Sequence, residues 1–278
     1  MTDRAEHDVQ VIRPSRGWVG LDFPELWRYR ELLLIFTWRN IVVRYKQTVL
    51  GIAWAVIQPV MLMIVFSLVF GHLAKLGSEG VPYPIFNYAA LLPWLFFANS
   101  LSQAAISVAS SSSLITKVYF PRLTIPISTV LSAFVDFAVA SLVLGGLMVY
   151  YGIVPGIAVV TLPAFILLAF VTALGVGLWL SALHVRYRDV GYVVPFLTQL
   201  WFFATPVVYS GTIVSEPWRT ILGLNPMAGV VEGFRWALLG IGSPPSGMLA
   251  LSSLMSLVLL LSGAAYFRRM ERTFADVV

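Results

Sequence analysis

One acidic residue lies where an apolar helix is expected, and it is the first candidate for chemistry. Asp136 is the only charged residue between Leu123 and Val185. An ionised carboxylate inside a membrane span costs several kcal/mol unless a partner or water stabilises it. A proton-coupled transporter uses such a group, usually with Lys, Arg or His nearby, and the four residues on either side of Asp136 include none of these. Ser132, one turn earlier, could hydrogen-bond to the carboxylate, so a structural role is favoured over a proton relay.

Other motifs that carry chemistry are absent from the sequence. The chain has no cysteine, which excludes disulfides, thiolate zinc sites and cysteine nucleophiles. His7, His72 and His184 are far apart in the sequence, and no metal site is expected. There is no GxxxxGKS/T phosphate loop, no GxGxxG and no HExxH, nor the paired aspartates with which a membrane transferase would hold magnesium. We therefore expect no covalent chemistry, and active transport would need energy from another subunit or from an ion gradient.

The composition is that of a membrane protein. Of the 278 residues, 59% are hydrophobic and 11% are charged, whereas about a quarter of a soluble domain is charged. A helix needs roughly 20 apolar residues to cross about 30 Å of hydrocarbon. We assign residues 51–268 to one transmembrane domain with an all-α fold. Its six predicted spans are residues 52–73, 88–110, 124–149, 157–182, 192–210 and 247–267.

The distribution of basic residues predicts the orientation of the chain. Fifteen of the eighteen Lys and Arg residues lie on one side of the predicted spans. The exceptions are Lys75, Arg219 and Arg235. Because cytoplasmic segments are enriched in Lys and Arg, both termini are predicted to be cytoplasmic, with a flexible tail at 1–22 and a short tail at 269–278. The net charge is +5, but the basic residues do not form a long tract with aromatic residues between them. No nucleic acid partner is therefore expected.

Residues 23–50 predict an amphipathic helix that lies in the inner membrane interface. Most of the helix circumference is apolar, and Arg30 and Arg44 interrupt the apolar side. Such a helix buries its apolar face at the headgroup boundary while its cationic residues meet membrane lipid. A peripheral anchor and a docking element for a partner are equally compatible with this pattern. The charged residues that share one arc of the helix are Glu25, Arg28, Glu31, Arg39 and Lys46.

Residues 211–246 follow the fifth predicted span on the outer side and predict two short helices. Ser215 stands before Glu216 and Pro217, and Asn225 stands before Pro226. Both arrangements are typical of a helix N-cap followed by proline in the first turn. Helices of roughly eight and fourteen residues are too short to span and have the length of re-entrant segments. The hairpin is a candidate outer gate, and the alternative is a lid that packs the outer ends of the helices.

Aromatic residues make up 14% of the chain and cluster in the predicted spans. They could anchor helices at the membrane surfaces, or they could line a channel in which aromatic rings contact the apolar faces of sugars. Pro195 and Pro206 would kink the fifth span, which suits a helix next to a pathway that opens and closes. The candidate channel aromatics are Trp54, Trp94, Phe96, Phe97, Trp201, Phe202 and Phe203.

Five segments together resemble a known family. In sequence order they are similar to segments of the permease subunit of ATP-binding-cassette polysaccharide exporters, which export O-antigen, capsule and teichoic acid. The resemblance covers nearly the whole chain from residue 25 onward. The five segments are residues 39–59, 115–122, 184–190, 224–240 and 267–277.

This resemblance implies a multi-pass subunit of the bacterial cytoplasmic membrane that works as a homodimer with two copies of a cytoplasmic ATPase. The ATPase would bind ATP and Mg²⁺, so no cofactor is expected in this chain, and the substrate would be a lipid-diphosphate-linked glycan. One alternative is an exporter of small drugs or lipids from the same superfamily. The others are an ion-coupled transporter that uses Asp136 and, disfavoured by the missing acidic pairs, a membrane enzyme that acts on lipid-linked sugars.

The resemblance also implies roles for individual residues. Arg188 and Asp189 match an Arg-Asp pair of the second cytoplasmic loop, for which an ion pair that fixes the turn and a contact with the ATPase both stay open. The outer gate would include Asn225, Pro226, Glu232 and Arg235. ATPase docking is assigned to the first cytoplasmic loop and to a second set in the interface helix, namely Lys117, Val118, Tyr119, Phe120 and Arg122, then Arg39, Arg44 and Lys46.

Overall fold

The computed structural model describes residues 23–46, 51–215, 218–242, 244 and 246–274. Within these ranges the chain forms helices joined by short turns, and it forms no β-strand. The α-helices are α1 (Phe23–Arg28), α2 (Arg30–Lys46), α3 (Trp54–Phe66), α4 (Tyr83–Ser110), α5 (Ser112–Ile115), α6 (Thr124–Tyr150), α7 (Leu162–Arg186), α8 (Val190–Ala204), α9 (Trp218–Leu222), α10 (Pro226–Leu239) and α11 (Ser246–Glu271). Short 3₁₀ turns precede α3 (Gly51–Ala53), α7 (Ile157–Thr161) and α9 (Gly211–Ile213), and a π-helical segment (Ser67–Leu73) extends α3.

Five helical segments among the described residues are long and apolar enough to cross a membrane. Each overlaps one of the predicted spans, which confirms the expected all-α membrane fold. Because uninterrupted apolar stretches leave the backbone no polar partner other than itself, they fold as helices in lipid. The five segments are Gly51–Leu73, Tyr83–Ser110, Thr124–Tyr150, Ile157–Arg186 and Gly247–Glu271.

The fifth predicted span is shorter than expected. The sequence predicts a helix over 192–210, whereas α8 ends at Ala204 after 15 residues, a length of roughly 22 Å. Thr205 is extended, with φ −107° and ψ 139°, because a residue that precedes proline is disfavoured in the helical conformation and Pro206 follows. The segment that leads from α8 to α9 therefore continues as irregular backbone that needs other hydrogen-bond partners.

Helix α4 lies at the centre of the subunit and packs against α6, α7 and α10. Helices α7 and α11 approach so closely that a Cβ added at Gly263 would lie 2.2 Å from the carbonyl oxygen of Gly175. Close backbone contact through small residues is the usual way in which helices associate in lipid. The stacked rings of Trp179 and Tyr266, with centroids 4.2 Å apart, lie across the same pair of helices.

The predicted interface helix is divided into α1 and α2 at Tyr29, and α2 packs lengthwise on α6. The Asn40 amide donates to Ser128 at 3.4 Å, and further along both helices Arg44 contacts Asp136. Because a later residue of α2 contacts a later residue of α6, α2 runs in the same direction as the first half of α6. The opposite side of α1 and α2 exposes large apolar side chains, namely Trp27, Leu34, Ile35, Trp38 and Val43.

Parts of the predicted tails lie outside the described residues. These parts are residues 1–22 and 275–278, and residues 47–50 and the Glu216–Pro217 helix start also fall outside. Within the described residues, α11 continues to Glu271, so the first part of the predicted tail at 269–278 is helical.

Candidate functional site

Asp136 is held by two residues of α2. The Arg44 guanidinium donates to one carboxylate oxygen and the Tyr45 hydroxyl donates to the other. Ser132, expected to stabilise Asp136 locally, donates instead to the carbonyl of Thr129 at 2.7 Å. The intramembrane carboxylate is therefore paired across two helices, which removes much of the cost of placing it there.

Arg44 connects three helices through its guanidinium. Besides Asp136 on α6, it donates to the Gln103 amide on α4 and to the Ser132 hydroxyl at 3.4 Å. Burial raises the pKa of the Tyr45 hydroxyl, and its hydrogen bond to Asp136 raises this pKa further. Tyr45 therefore remains a hydrogen-bond donor at neutral pH. The side chain of Arg44 points into the subunit, whereas Arg39 and Lys46 are exposed.

Asp136→Asn should lower the stability of the subunit by about 1–3 kcal/mol, because the charge-assisted bonds from Arg44 and Tyr45 are weakened. The check is the thermal midpoint of the purified full chain. Arg44→Gln should have a smaller effect in the Asp136→Asn background than in the wild-type background, since coupled residues are not additive. An Asp136→Asn protein with unchanged stability and coupling that fails only in transport would contradict this and favour a proton relay.

A cleft of about 300 Å³ opens beside this polar network. Its walls come from α3, α4 and α6, and the end of α2 closes one side. Sequence reasoning missed several polar residues that line it. For Gln58, Asn99 and Gln103 the sequence did carry a signal, since each is an amide inside an apolar helix and lies one turn from another polar or aromatic residue. The missed residues are Tyr45, Gln58, Asn99 and Gln103.

The loop between α4 and α6, predicted to be the first cytoplasmic loop, separates into an exposed part and an anchored part. Lys117, Val118 and Tyr119 are exposed, Tyr119 by 63%. Phe120 is only 5% exposed, and its ring meets that of Phe36 on α2 edge-on at a centroid distance of 5.4 Å. A protein that binds this loop would therefore contact the first three residues, while Phe120 packs against α2.

Arg122 anchors the other end of this loop to the C-terminal end of α11. Its backbone N–H donates to the Glu271 carboxylate at 3.2 Å, and its guanidinium donates to the Glu271 carbonyl. The guanidinium also lies 5.9 Å from the ring centroid of Phe274. Of the residues assigned to docking, Phe120 and Arg122 thus hold the loop to the rest of the subunit.

The loop predicted to be the second cytoplasmic loop is a tight turn between α7 and α8. Arg188 and Asp189 are both exposed. The Asp189 carbonyl accepts from the backbone N–H groups of Tyr192 at 2.9 Å and Val193 at 3.1 Å. The turn is therefore fixed by its backbone, and both side chains remain accessible at its surface.

The candidate channel aromatics divide by burial. Trp94, Phe96 and Phe97 are almost fully buried inside the subunit, so in this conformation they pack the core. Trp54 and Phe203 are 55% and 56% exposed and can face a pathway, lipid or a second copy. Trp201 and Phe202 are partly exposed and belong to the same aromatic cluster.

Asn225 joins the end of α8 to the start of α10. Its side-chain oxygen accepts from the Met227 N–H at 3.0 Å, as an N-cap does, and from the Trp201 indole at 2.8 Å. Its amide nitrogen donates to the Ala204 carbonyl at 3.1 Å. The N-cap predicted at Asn225 and Pro226 is therefore observed, and it also satisfies the last turn of the shortened α8.

Arg235, one of the residues assigned to the outer gate, is almost fully buried. Its side chain is 1% exposed and contacts Glu232 at 3.2 Å. The Glu232 carboxylate in turn accepts from the Gly211 N–H at 3.0 Å. Most of α10 is buried with Arg235, so this helix is part of the subunit core. The other short helix, α9, is partly to fully exposed.

Among the residues that the structure describes, no three His, Asp or Glu side chains come close enough to hold a metal ion. The groups able to bind a ligand are instead the amides, the ion pair and the aromatic rings of the cleft.

Comparisons with known proteins agree along most of the chain. A family model for the ABC-2 type transporter matches residues 31–239. The O-antigen export system permease protein RfbA of Myxococcus xanthus is 31% identical over 257 residues, which cover 91% of this chain and 98% of that protein. RfbA of Klebsiella pneumoniae is 25% identical over 249 residues, with coverage of 89% and 95%. The polysialic acid transport protein KpsM of Escherichia coli is 21% identical over 239 residues, with coverage of 84% and 91%.

Proposed function

Because this chain belongs to the ABC-2 type transporter family, we propose that it is the membrane subunit of an ATP-driven exporter of a lipid-linked polysaccharide. It is a multi-pass protein of the bacterial inner membrane. The observation that carries the substrate class is the 31% identity, over 91% of the chain, to a protein named as an O-antigen export permease. The similarity to a polysialic acid transport protein supports a sugar polymer as the cargo.

The transporter consists of two copies of this chain and two copies of a cytoplasmic ATPase. A single copy exposes large apolar side chains on α3 and α8, among them Met61, Phe196 and Phe203. Lipid covers part of this surface, and a second copy related by a two-fold axis covers the rest and encloses a pathway. Helix α8 is the fifth of six spans in each copy, and both termini are cytoplasmic. The short length of α8 is compatible with crossing because the irregular segment after it is enclosed by protein.

The ATPase binds the exposed part of the first cytoplasmic loop. Movement of this loop reaches α2 through the contact of Phe120 with Phe36 and reaches α11 through the bonds of Arg122 to Glu271. From α2 it continues to α6 through the ion pair of Arg44 and Asp136. This continuous set of contacts supports coupling of ATP hydrolysis to movement of the spans.

The movable part of the outer hairpin is α9. Helix α10 is buried and tied by Arg235 to the chain after α8, so its movement would break several buried hydrogen bonds. Trp218 and Ile221 on α9 are exposed. The gate therefore opens by displacement of α9 against a fixed α10.

The pairing of Asp136 favours this exporter over an ion-coupled transporter. A proton relay needs a carboxylate that alternates between protonated and ionised forms, whereas Arg44 and Tyr45 both donate to the Asp136 carboxylate. A proton relay through Asp136 would have to break the ion pair with Arg44 and the hydrogen bond from Tyr45.

Deletion of the gene should leave finished lipid-linked glycan on the cytoplasmic side of the membrane and remove it from the cell surface. Expression of the wild-type chain with its cognate ATPase should restore surface glycan, whereas an ATPase that binds but does not hydrolyse ATP should not. The measurement is surface labelling of glycan in intact and permeabilised cells. An unmodified glycan precursor in the deletion strain would contradict export, because a precursor accumulates when a biosynthetic enzyme is missing.

A further inference from the structure

The cleft beside Arg44 and Asp136 carries polar groups that the coupling path does not use. Gln58 on α3 is exposed and Asn99 on α4 is partly exposed, and both line the cleft. Within the described part of the chain, neither amide has a hydrogen-bond partner in the protein. Asn99 lies about 16 Å along α4 from its end at Ser110, well inside a membrane-spanning helix. An amide without a partner at that depth costs several kcal/mol, so water or a polar ligand must occupy the cleft.

The walls of the cleft differ in chemistry. Trp54 and Gln58 lie one turn apart on α3, which places an aromatic ring and an amide on the same helix face. Asn99 and Gln103 repeat this spacing on α4. On α6, small residues on the same face as Asp136 leave room for a ligand, namely Ala133 and Ala140. The α3 wall thus offers an exposed indole ring and an amide, and the α4 and α6 walls offer two further amides and a carboxylate.

The charge of the cleft favours a neutral ligand. The charge of Arg44 is balanced by Asp136, and its second terminal nitrogen donates to Gln103. The unpartnered amides of Gln58 and Asn99 each offer donors and an acceptor, which match sugar hydroxyls, since these also donate and accept. A phosphate or diphosphate would require a positive charge that the ion pair does not leave free.

We propose that this cleft is a binding subsite for one neutral sugar unit of the transported glycan. The Trp54 ring lies against the apolar C–H face of the sugar, and the amides of Gln58 and Asn99 hydrogen-bond to its hydroxyls. The cleft volume of about 300 Å³ suits a small ligand rather than a lipid chain. Binding is weak, because a unit that moves along a pathway must also leave each site. The inference rests on the proposed function, since it places the cleft on the route of a glycan.

The natural absence of cysteine in this chain allows a direct test. Asn99→Cys and Gln58→Cys would each be introduced alone into the full complex in membrane vesicles and labelled with a charged, water-soluble methanethiosulfonate. Val154→Cys, in the exposed loop after α6, is the control for free labelling, and Leu142→Cys, on the exposed side of α6, is the control for a lipid-facing position. We expect both cleft cysteines to be labelled and Leu142→Cys to resist.

Neutral trisaccharides should then protect the cleft cysteines. Maltotriose, cellotriose and mannotriose would be compared with inorganic pyrophosphate. At least one trisaccharide should slow labelling by about threefold at about twice its Kd, because the protection factor is 1 + [L]/Kd, and Val154→Cys should not respond. Trp54→Ala should abolish this protection, whereas Trp54→Phe should retain it. If Asn99→Cys does not assemble, Gln58→Cys, at an exposed position, provides the same readout.

Three results would overturn the subsite. Protection by pyrophosphate alone would show an anion site, labelling without protection would show a cavity that holds only water, and absence of labelling would show that lipid or the second copy fills the cleft. Restoration of surface glycan by the wild-type chain is measured separately. Restored export without sugar protection refutes the subsite alone, and sugar protection without restored export refutes the proposed function alone.

Discussion

Arg235→Met should prevent the chain from accumulating as a folded membrane protein. The guanidinium is fully enclosed and lies 3.7 Å from the centroid of the Phe86 ring. It donates to backbone carbonyls of the irregular segment that follows α8. These acceptors, with one more at the start of α4, are the carbonyls of Pro206 at 2.7 Å, Val207 at 2.5 Å, Tyr209 at 2.9 Å and Phe86 at 3.3 Å.

The expected loss is about 3–5 kcal/mol, because removal of one partner from a buried charged network leaves the other groups uncompensated. Glu232 would lose its cation, and the freed carbonyls would have no water at membrane depth. A loss of this size approaches the whole stability of many proteins, about 5–15 kcal/mol. Arg235→Lys should also be impaired, since an ammonium group cannot reach several separated carbonyls as the planar fork of arginine does.

Size-exclusion chromatography of the fluorescently tagged chain measures this outcome directly. Arg219→Met, on the partly exposed α9, removes the same charge from the same hairpin and should give a normal monodisperse peak. An Arg235→Met protein with a normal peak and the wild-type thermal midpoint would show that the carbonyls after α8 find other partners.

The long helices could be predicted from the sequence because each depends mainly on local composition. The span predicted at 124–149 is observed as α6 over Thr124–Tyr150, and the fourteen-residue helix predicted after Asn225 is observed as α10. The resemblance to polysaccharide-export permeases is confirmed by the family match and by relatives that align over most of the chain.

The partner of Asp136 could not be predicted from local spacing, because it depends on how α2 packs against α6. Ser132 lies one helical turn from Asp136, whereas Arg44 lies 92 positions earlier in the chain. Arg44 and Asp136 each indicated, from the sequence alone, that a partner was needed. An arginine on the apolar side of an amphipathic helix and an aspartate in an apolar span both need a partner, and each can satisfy the other.

Composition also could not decide which aromatic residues face outward. Trp94 and Phe97 pack in the core while Phe203 is exposed, although all three belong to similar aromatic clusters. Their burial depends on α4 lying at the centre of the bundle. The predicted channel wall is therefore reduced, in this conformation, to Trp54 and Phe203 together with the partly exposed Trp201 and Phe202.

Tyr119→Ala combined with Lys117→Glu should reduce polysaccharide export by at least about tenfold, because loss of a tyrosine that is a binding hot spot costs about 2 kcal/mol or more. Both side chains are exposed, so the change should not alter the folding of the subunit. The rate at which the copurified ATPase hydrolyses ATP should no longer depend on this chain. The measurements are surface glycan in cells and the ATPase rate of the purified complex.

Phe120→Ala is the matched variant that separates docking from folding. Its ring is buried against Phe36, so its truncation should destabilise the subunit by about 3 kcal/mol and lower the thermal midpoint, which the Lys117 and Tyr119 substitutions should leave unchanged. A double variant that exports normally would remove docking from these two residues. One that loses export together with thermal stability would instead show that the exposed part of the loop holds the fold, in which case the ATPase must bind elsewhere on the cytoplasmic surface, with the turn at Arg188 and Asp189 as the next candidate.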